Sequence, residues 1–467
     1  MKTIIITVTQ GRIVRDILRT DAFKALKSDK KLRLVLAVLY GSPVYDNKDF
    51  EVEFNGGNVT VENIKAKTNI FERGLKKIAD IIFFNINYVK TLEIKDDILK
   101  HKKPLSYLGL IIIRKILGKN RNLINALEKL DMLLFWYKNR RYKKLFEKYK
   151  PSLVFATDFL FPHEWGLVKA AKNYNVPVIS WVDSWDFLTK GRLPSRPDRT
   201  IVWNNFLKNQ LIRYYRYSPK KIFVSGIPQF DYYVKDKNKL PTRDDFHESI
   251  GAGANKKLIV YATSPTTTSL VEQDMIEIIC NAIKSGEISY PTHVHVRFHP
   301  ADDFSRYEKL RKYGDMVTFE MPGKSYSPEK YVWAPDEQDM LHFATLMANS
   351  DVVINVYSTV TIDASAFDTP VINAGFDGYE KKPYLESVAR YYDYTHYKNI
   401  VKTEGVKIAR SQEELIRYIN EYLKKPKLNS EGRRKIVEEM CYKLDGRAGE
   451  RMAEYLLNFL DLTKNRR

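Results

Sequence analysis

Short apolar runs, separated by longer stretches with apolar residues at helical spacing, recur along most of this chain. That alternation is the pattern of a parallel sheet whose strands are joined by crossover helices. In the first half the predicted strands are KTIIITV (2–8), LRLVLAVL (32–39), SLVFATD (152–158), PVISWVD (177–183), RTIVWN (199–204) and KIFVSG (221–226). Helical patterning between about 70 and 150 reads as an insertion. A polar stretch rich in charge, with Pro and Gly, then predicts a connector at 236–256. A second series follows with KLIVYATS (257–264), THVHVRFHP (292–300), DMVTFEM (315–321), DVVINVYST (351–359) and PVINAG (370–375). The expected organisation is an α/β chain of two domains, 1–235 and 257–429, with a helical tail at 430–467. A chain of 467 residues is long enough for two cores.

Composition changes this picture in one place. The 77 basic and 57 acidic residues leave a net charge of +20. Between Lys100 and Lys150 stand 15 Lys/Arg against Glu128, Asp131 and Glu147, a local +12. Within it, LSYLGLIIIRKILGKNRNLI (105–124) is apolar with cationic borders. Such a helix suits an anionic membrane interface, and equally a core helix with a solvated flank. No zinc-finger spacing, RNP-like signature or basic zipper points to nucleic acid. The two cysteines, Cys280 and Cys441, form no CxxC pair, so neither disulfides nor a cysteine metal site is expected. No stretch reaches the length of a spanning helix or a signal peptide, which reads as a cytoplasmic chain.

The candidate chemistry sits where predicted strands end. Parallel sheets bind ligands at the C-terminal ends of their strands. In VINVYSTVTIDASAFDTPVINAG (353–375), Tyr357, Ser358 and Thr359 close a buried strand and precede a short helix. Hydroxyls and free N–H groups there suit a phosphate, and Asp363, four residues on, suits a ribose hydroxyl. Ordinary helix capping explains the same hydroxyls. His299 ends a strand and Pro300 stops its continuation; a held imidazole donates to a phosphate and stabilises a departing one. His293, His295 and His299 share strand parity, but without a partner carboxylate they make a poor zinc set. Thr263 and Ser264 stand in a Ser/Thr-rich turn that lines a cleft or caps a helix. In the first half Asp158, His163, Asp183 and Asp186 follow strand ends and are candidates for a general base, or turn residues. Gly11, Arg12 and Arg15 follow the first strand and suit an anionic acceptor.

The order SGIPQFD, YATSP, FHP, SDVVINVYSTVTIDASAFDTPVI and DGRAGERMAEYL resembles the GT-B glycosyltransferase superfamily, in its surface-polysaccharide and teichoic-acid branch. That branch includes CDP-glycerol glycerophosphotransferases and CMP-sugar transferases. The resemblance implies two facing Rossmann-like domains, a donor nucleotide held mainly by the second, an acceptor approaching the first, and a C-terminal helix crossing back onto the first. It matches the donor-phosphate motifs to His299-Pro300 and Ser358-Thr359, and the acid that holds donor ribose or sugar to Asp363. The acidic motif that supplies the base in bacterial sialyltransferases is not visible in the first half; Asp377-Gly378 lies in the other domain. The implied activity is a metal-independent glycosyltransferase using a nucleotide-activated sugar, inverting, which builds a surface polysaccharide or glycolipid. Its glycan or lipid-linked acceptor would be met at the inner membrane face through residues 100–150. Competing readings are a CDP-glycerol-type glycerophosphotransferase, a non-hydrolysing UDP-sugar 2-epimerase and an inactive glycan-binding scaffold.

Overall fold

A computed structural model describes residues 1–65, 70–136, 140–158, 161–189, 196–323 and 335–464. Among the described residues the chain divides into two compact units: Met1–Asp231 together with the chain from Cys441 on, and residues 232–323 together with Pro335–Met440.

The first unit is built on a seven-stranded sheet of order β3-β2-β1-β4-β5-β6-β7, parallel throughout. Its strands are β1 (Lys2–Val8), β2 (Leu32–Leu39), β3 (Val59–Ile64), β4 (Leu153–Ala156), β5 (Val178–Trp181), β6 (Arg199–Val202) and β7 (Ile222–Val224). Ile4, Ile5, Ile6 and Leu34–Val38 are fully buried, as a sheet covered on both faces requires. Between β3 and β4 come five helices: Ile70–Ile86, Lys90–Lys102, Pro104–Leu117, Arg121–Trp136 and Arg140–Tyr149. Helix Pro104–Leu117 buries none of its side chains.

The second unit carries β8 (Lys257–Ala262), β9 (Thr292–Arg297), β10 (Val317–Glu320), β11 (Val352–Asn355), β12 (Val371–Ala374) and β13 (Val406–Ala409). Their order, β10-β9-β8-β11-β12-β13, is that of a doubly wound Rossmann sheet. The polar stretch 236–256 is packed into this unit. It forms helix Arg243–Ser249, capped by Thr242, with Phe246 buried and Arg243 donating to the Asn349 carbonyl at 2.6 Å.

Several strands stop short of their apolar runs. The N–H of Thr157 goes to the Thr7 hydroxyl at 2.8 Å and that of His299 to the Thr263 hydroxyl at 2.9 Å. A side-chain acceptor therefore takes the donor that the ladder would have used. Asp158, Asp183, His299 and Ser358 consequently stand on turns after the strands, not within them.

The sequence SGIPQFD has a structural purpose within the first unit. Asp231 accepts from the N–H groups of Ala448 at 2.9 Å and Gly449 at 2.7 Å, capping helix Ala448–Lys464. Arg451 donates to the Ser225 carbonyl at 2.8 Å. A Cβ on Gly226, whose φ is +90°, would stand 3.1 Å from the Ala448 Cβ. The space beside Gly226 is thus filled by the chain's own C-terminal helix. At Gly449 a Cβ would lie 2.7 Å from the Ala22 backbone nitrogen, so glycine is what lets this helix approach helix Asp21–Ser28 closely at that point.

Candidate functional site

In the second unit the sheet order reverses between β8 and β11, where doubly wound sheets bind ligands. The turns after β8, β9 and β11 gather the predicted donor residues. His299 accepts the Ala301 N–H on Nδ1 at 3.0 Å, which leaves the ring proton on Nε2. Burial lowers its pKa against the opposing pull of Asp302, so the neutral ring is a donor through Nε2. The turn is held by the Asp302 N–H on the His299 carbonyl at 2.8 Å, with Pro300 at its first corner. Thr263 and Ser264 are themselves buried. Thr263 fixes the His299 backbone, and the Ser264 N–H is accepted by Glu272 at 2.9 Å. Burial pushes the Glu272 carboxyl up to about 7, against hydrogen bonds from Ser264 and Ser269. These two residues position the turn.

After β11, Ser358 is half-buried and Thr359 exposed. The Ser358 hydroxyl accepts the Val360 N–H at 3.3 Å, a capping bond, while Thr359 makes no side-chain cap. Tyr357 stacks on Tyr391 with centroids 4.4 Å apart, and Arg390 lies 4.4 Å over the far partner of that stack. Beneath the turn runs a fully buried polar network. Asn373 donates to Asn355 at 3.1 Å, Asn355 to Thr361 at 3.2 Å, and the Tyr397 hydroxyl to Asn373 at 2.9 Å. The tripeptide Val-Ile-Asn occurs in both β11 and β12 and pairs with itself in register, which stacks the two amides. Asparagine in a buried strand is unfavourable unless bonded, and that was the signal in the sequence for this network. Asp363 is 7% exposed and accepts the Tyr233 hydroxyl at 2.6 Å. One carboxylate oxygen is therefore engaged within the unit.

In the first unit the order reverses between β1 and β4. Gly11 opens a short helix, Gly11–Ile13, that continues as a π-turn over Val14–Leu18, a form frequent at functional sites. Arg12 reaches two carboxylates: Nη2 to Asp158 at 3.0 Å and Nε to Asp183 at 2.7 Å. Its guanidinium also lies 4.9 Å from the Phe187 ring centroid. Burial opposes the Arg12 charge, but Asp183 and Asp158 outweigh it and raise its pKa. Asp158 accepts on one oxygen from Gln10 at 2.7 Å, Thr9 at 3.3 Å and Arg12. Asp183 is buried and accepts no hydrogen bond among the described residues; its contact with Arg12 is an ion pair without hydrogen-bond alignment. Burial raises the Asp183 pKa well above the usual range, against the attraction of Arg12. Asp158 thus takes three donors on one oxygen, whereas neither oxygen of Asp183 accepts a hydrogen bond from another described residue.

The other first-half candidates take ordinary places. Arg15 pairs with Asp16, and Asp186 accepts the Ser184 hydroxyl at 2.6 Å. His163 packs edge-on against Tyr40 and Phe161. Parts of the two segments carrying these acids, 159–160 and 190–191, lie outside the described residues. Glu164 had no mark in the sequence: it accepts the Asp158 N–H at 3.1 Å and the Thr7 hydroxyl, and burial pushes it up to about 8. In β9, His293 and His295 both bond the Thr318 hydroxyl, at 2.7 and 2.8 Å, and so tie β9 to β10.

Comparisons with known proteins bear on the fold and the family. No curated protein sequence matches the chain significantly. Among solved structures, a putative UDP-N-acetylglucosamine 2-epimerase from Listeria monocytogenes has a TM-score of 0.58 at 12% identity, covering 99% of this chain and 97% of that one. The UDP-GlcNAc 2-epimerase from Neisseria meningitidis bound to UDP-GlcNAc has a TM-score of 0.55 at 13% identity, covering 98% and 100%. A glycosyltransferase from Rickettsia africae has a TM-score of 0.50 at 12% identity, covering 98% of each chain. At such identities these likenesses establish the fold, two Rossmann-like domains. The sequence itself matches the CDP-glycerol:poly(glycerophosphate) glycerophosphotransferase family over residues 189–458, more than half of its length. The chain belongs to that family, and it is a transferase.

Proposed function

We propose that this transferase moves a sugar from a nucleotide-activated donor onto a growing surface glycan, without a metal and with inversion. The observation that carries the reading is the His299 ring, whose Nδ1 is occupied by Ala301 and whose Nε2–H is left to donate, on the turn beside Thr263. In the second unit Nε2–H, the Ser358 hydroxyl and the amides of its turn hold the donor phosphates. Asp363 holds the donor ribose or sugar. In the first unit Asp183 takes the proton of the acceptor hydroxyl, and Arg12 holds Asp183 in place. The acceptor oxygen bonds to the anomeric carbon as the bond from that carbon to the phosphate oxygen breaks. The nucleotide departs with the electron pair, and His299 stabilises the charge that develops.

The family match favours a second reading of the same site, with CDP-glycerol as donor. The acceptor oxygen then attacks phosphorus and CMP departs. The protein meets its acceptor at the inner membrane face, supported by the exposed Leu105, Leu108, Ile112 and Ile116 of helix Pro104–Leu117 and the exposed Lys115 and Lys119. Arg114, by contrast, is turned to Asp96, with Nη2 to Oδ1 at 3.1 Å. Among the described residues no helix is long and apolar enough to cross a membrane.

A thermal-shift screen with CMP, CDP, UDP, GDP and their sugar and glycerol conjugates tests the donor. Stabilisation by one nucleotide sugar, lost in His299→Ala, supports the leading reading, and a CDP-glycerol shift supports the second. Conversion of a UDP-sugar without acceptor would establish an epimerase instead. Binding with no turnover over a broad acceptor panel would leave a scaffold.

A further inference from the structure

The first unit has a second concavity, built by the segments that lead into the N-terminal ends of β5, β6 and β7, away from the strand ends that carry Asp158 and Asp183. A cavity of about 160 Å³ is lined by Arg121, Arg196 and Tyr217 and shares Asn125 and Glu128 with a wider depression. That depression, about 680 Å³, adds Lys172, Asn173, Met132 and Leu133.

The charges in this place are out of balance. Arg121 has no carboxylate partner among the described residues, and Arg216 and Arg196 stand near enough to add to the effect of burial in lowering its pKa. Arg196 spends one donor on the Tyr215 carbonyl and stacks 5.4 Å over Tyr217. Of the two acids on the wall, Asp131 is taken by Lys169 at 2.5 Å; Glu128, with Asp198 near Lys172, faces Arg121, Arg196, Lys172 and Lys129, two acids against four cations. Two buried polar groups add to this. The Thr200 hydroxyl lies beside that of Tyr217, a residue 5% exposed whose own O–H is left to donate, and the Asn173 amide nitrogen has no hydrogen-bond partner among the described residues. A buried donor left unpaired is costly, and an anion with several oxygens would satisfy both. The mouth is apolar: Met132 and Leu133 line it, and Leu130, Leu133 and Leu134 of the same helix are 42%, 69% and 50% exposed.

We infer that this cavity binds the phosphate head of an amphiphile. Arg121, Arg196 and Lys172 balance its charge, the Tyr217 hydroxyl and Asn173 amide donate to its oxygens, and the tail leaves across Met132 and Leu133. The site is separate from the donor turns and does not rest on the donor assignment.

Calorimetric titration of the full chain with dihexanoylphosphatidic acid, a monomeric phosphate amphiphile, tests it. Saturable binding is expected, weakened about tenfold or more in Arg121→Gln and in Lys172→Gln, with thermal unfolding unchanged in both. It is expected to be undiminished by saturating donor nucleotide. No binding, binding equal in the variants, or displacement by the nucleotide overturns the site. Equal affinity for inorganic phosphate overturns the role of the tail, and equal affinity for dihexanoylphosphatidylcholine overturns that of the phosphate monoester.

Discussion

The two units place chemistry at the same topological position, the reversal of a parallel sheet, but furnish it oppositely. In the second unit the groups are neutral: an imidazole kept uncharged by burial, hydroxyls and backbone amides. In the first they are ionic, with Arg12 between two buried carboxylates. Neutral donors suit a ligand that brings its own negative charge, since no countercharge must be released before it binds. A buried carboxylate with a raised pKa suits a substrate that gives up a proton. A device common to both is a buried acid that captures the N–H of the turn, Glu164 on Asp158 and Glu272 on Ser264. The family match, from residue 189 to 458, takes in the neutral site and leaves out Arg12, Asp158 and Asp183.

The sharpest way to break the contrast is Asp183→Asn. Turnover should fall by about 10²–10⁴-fold while the nucleotide-induced thermal shift stays intact. Full activity in this variant would remove Asp183 as the base. His299→Ala should cost about 10²–10³-fold in turnover and also abolish the thermal shift, without unfolding the protein. A retained shift would mean that the donor is held elsewhere. Arg12→Gln takes the paired cation from buried Asp183 and one of three donors from Asp158, and should destabilise by about 3 kcal/mol, measured by urea unfolding. Adding Asp183→Asn should recover part of that loss, and strict additivity would show that the pair is not coupled.

Asp363→Ala should raise the donor KM, whereas Tyr233→Phe, losing one hydrogen bond to a carboxylate worth about 1.5–3 kcal/mol, should lower stability and leave KM alone. The reverse pattern would make Asp363 a structural acid. The smallest expected effect is a slope. Glu272 has its carboxyl at about 7 in the folded protein, against about 4.3 in an unfolded chain, so the folded state holds the proton more tightly. Stability from this group is full below the lower value and is lost as pH rises through the higher one. Glu272→Gln should flatten the fall in melting temperature across that window; an unchanged slope would place the titration elsewhere.

Much of the fold was legible because buried parallel strands are nearly continuous apolar runs, and β1 and β2 begin and end where their runs do. His299 and Ser358 could be placed at strand ends for the same reason. Their bonding partners could not. Asp363 meets Tyr233 across 130 residues and Arg12 meets Asp158 across 146, distances at which local pattern is silent. Glu164 and Glu272 look like ordinary acids near the starts of helices, and only tertiary burial gives them their protons. Gly226 marks a close approach in the sequence without saying what approaches, and the structure puts Ala448 there.

The cap that Asp231 places on helix Ala448–Lys464 carries a consequence for biosynthesis. The first unit begins with β1, yet residues 441–464, which cover Ala22 and satisfy Asp231, leave the ribosome only after the whole second unit has been made. At about 5–20 residues per second, the 209 residues from Tyr232 to Met440 correspond to roughly 10–40 s of synthesis. For that interval helix Asp21–Ser28 lacks its partner, and the nascent first unit is a natural client for a chaperone.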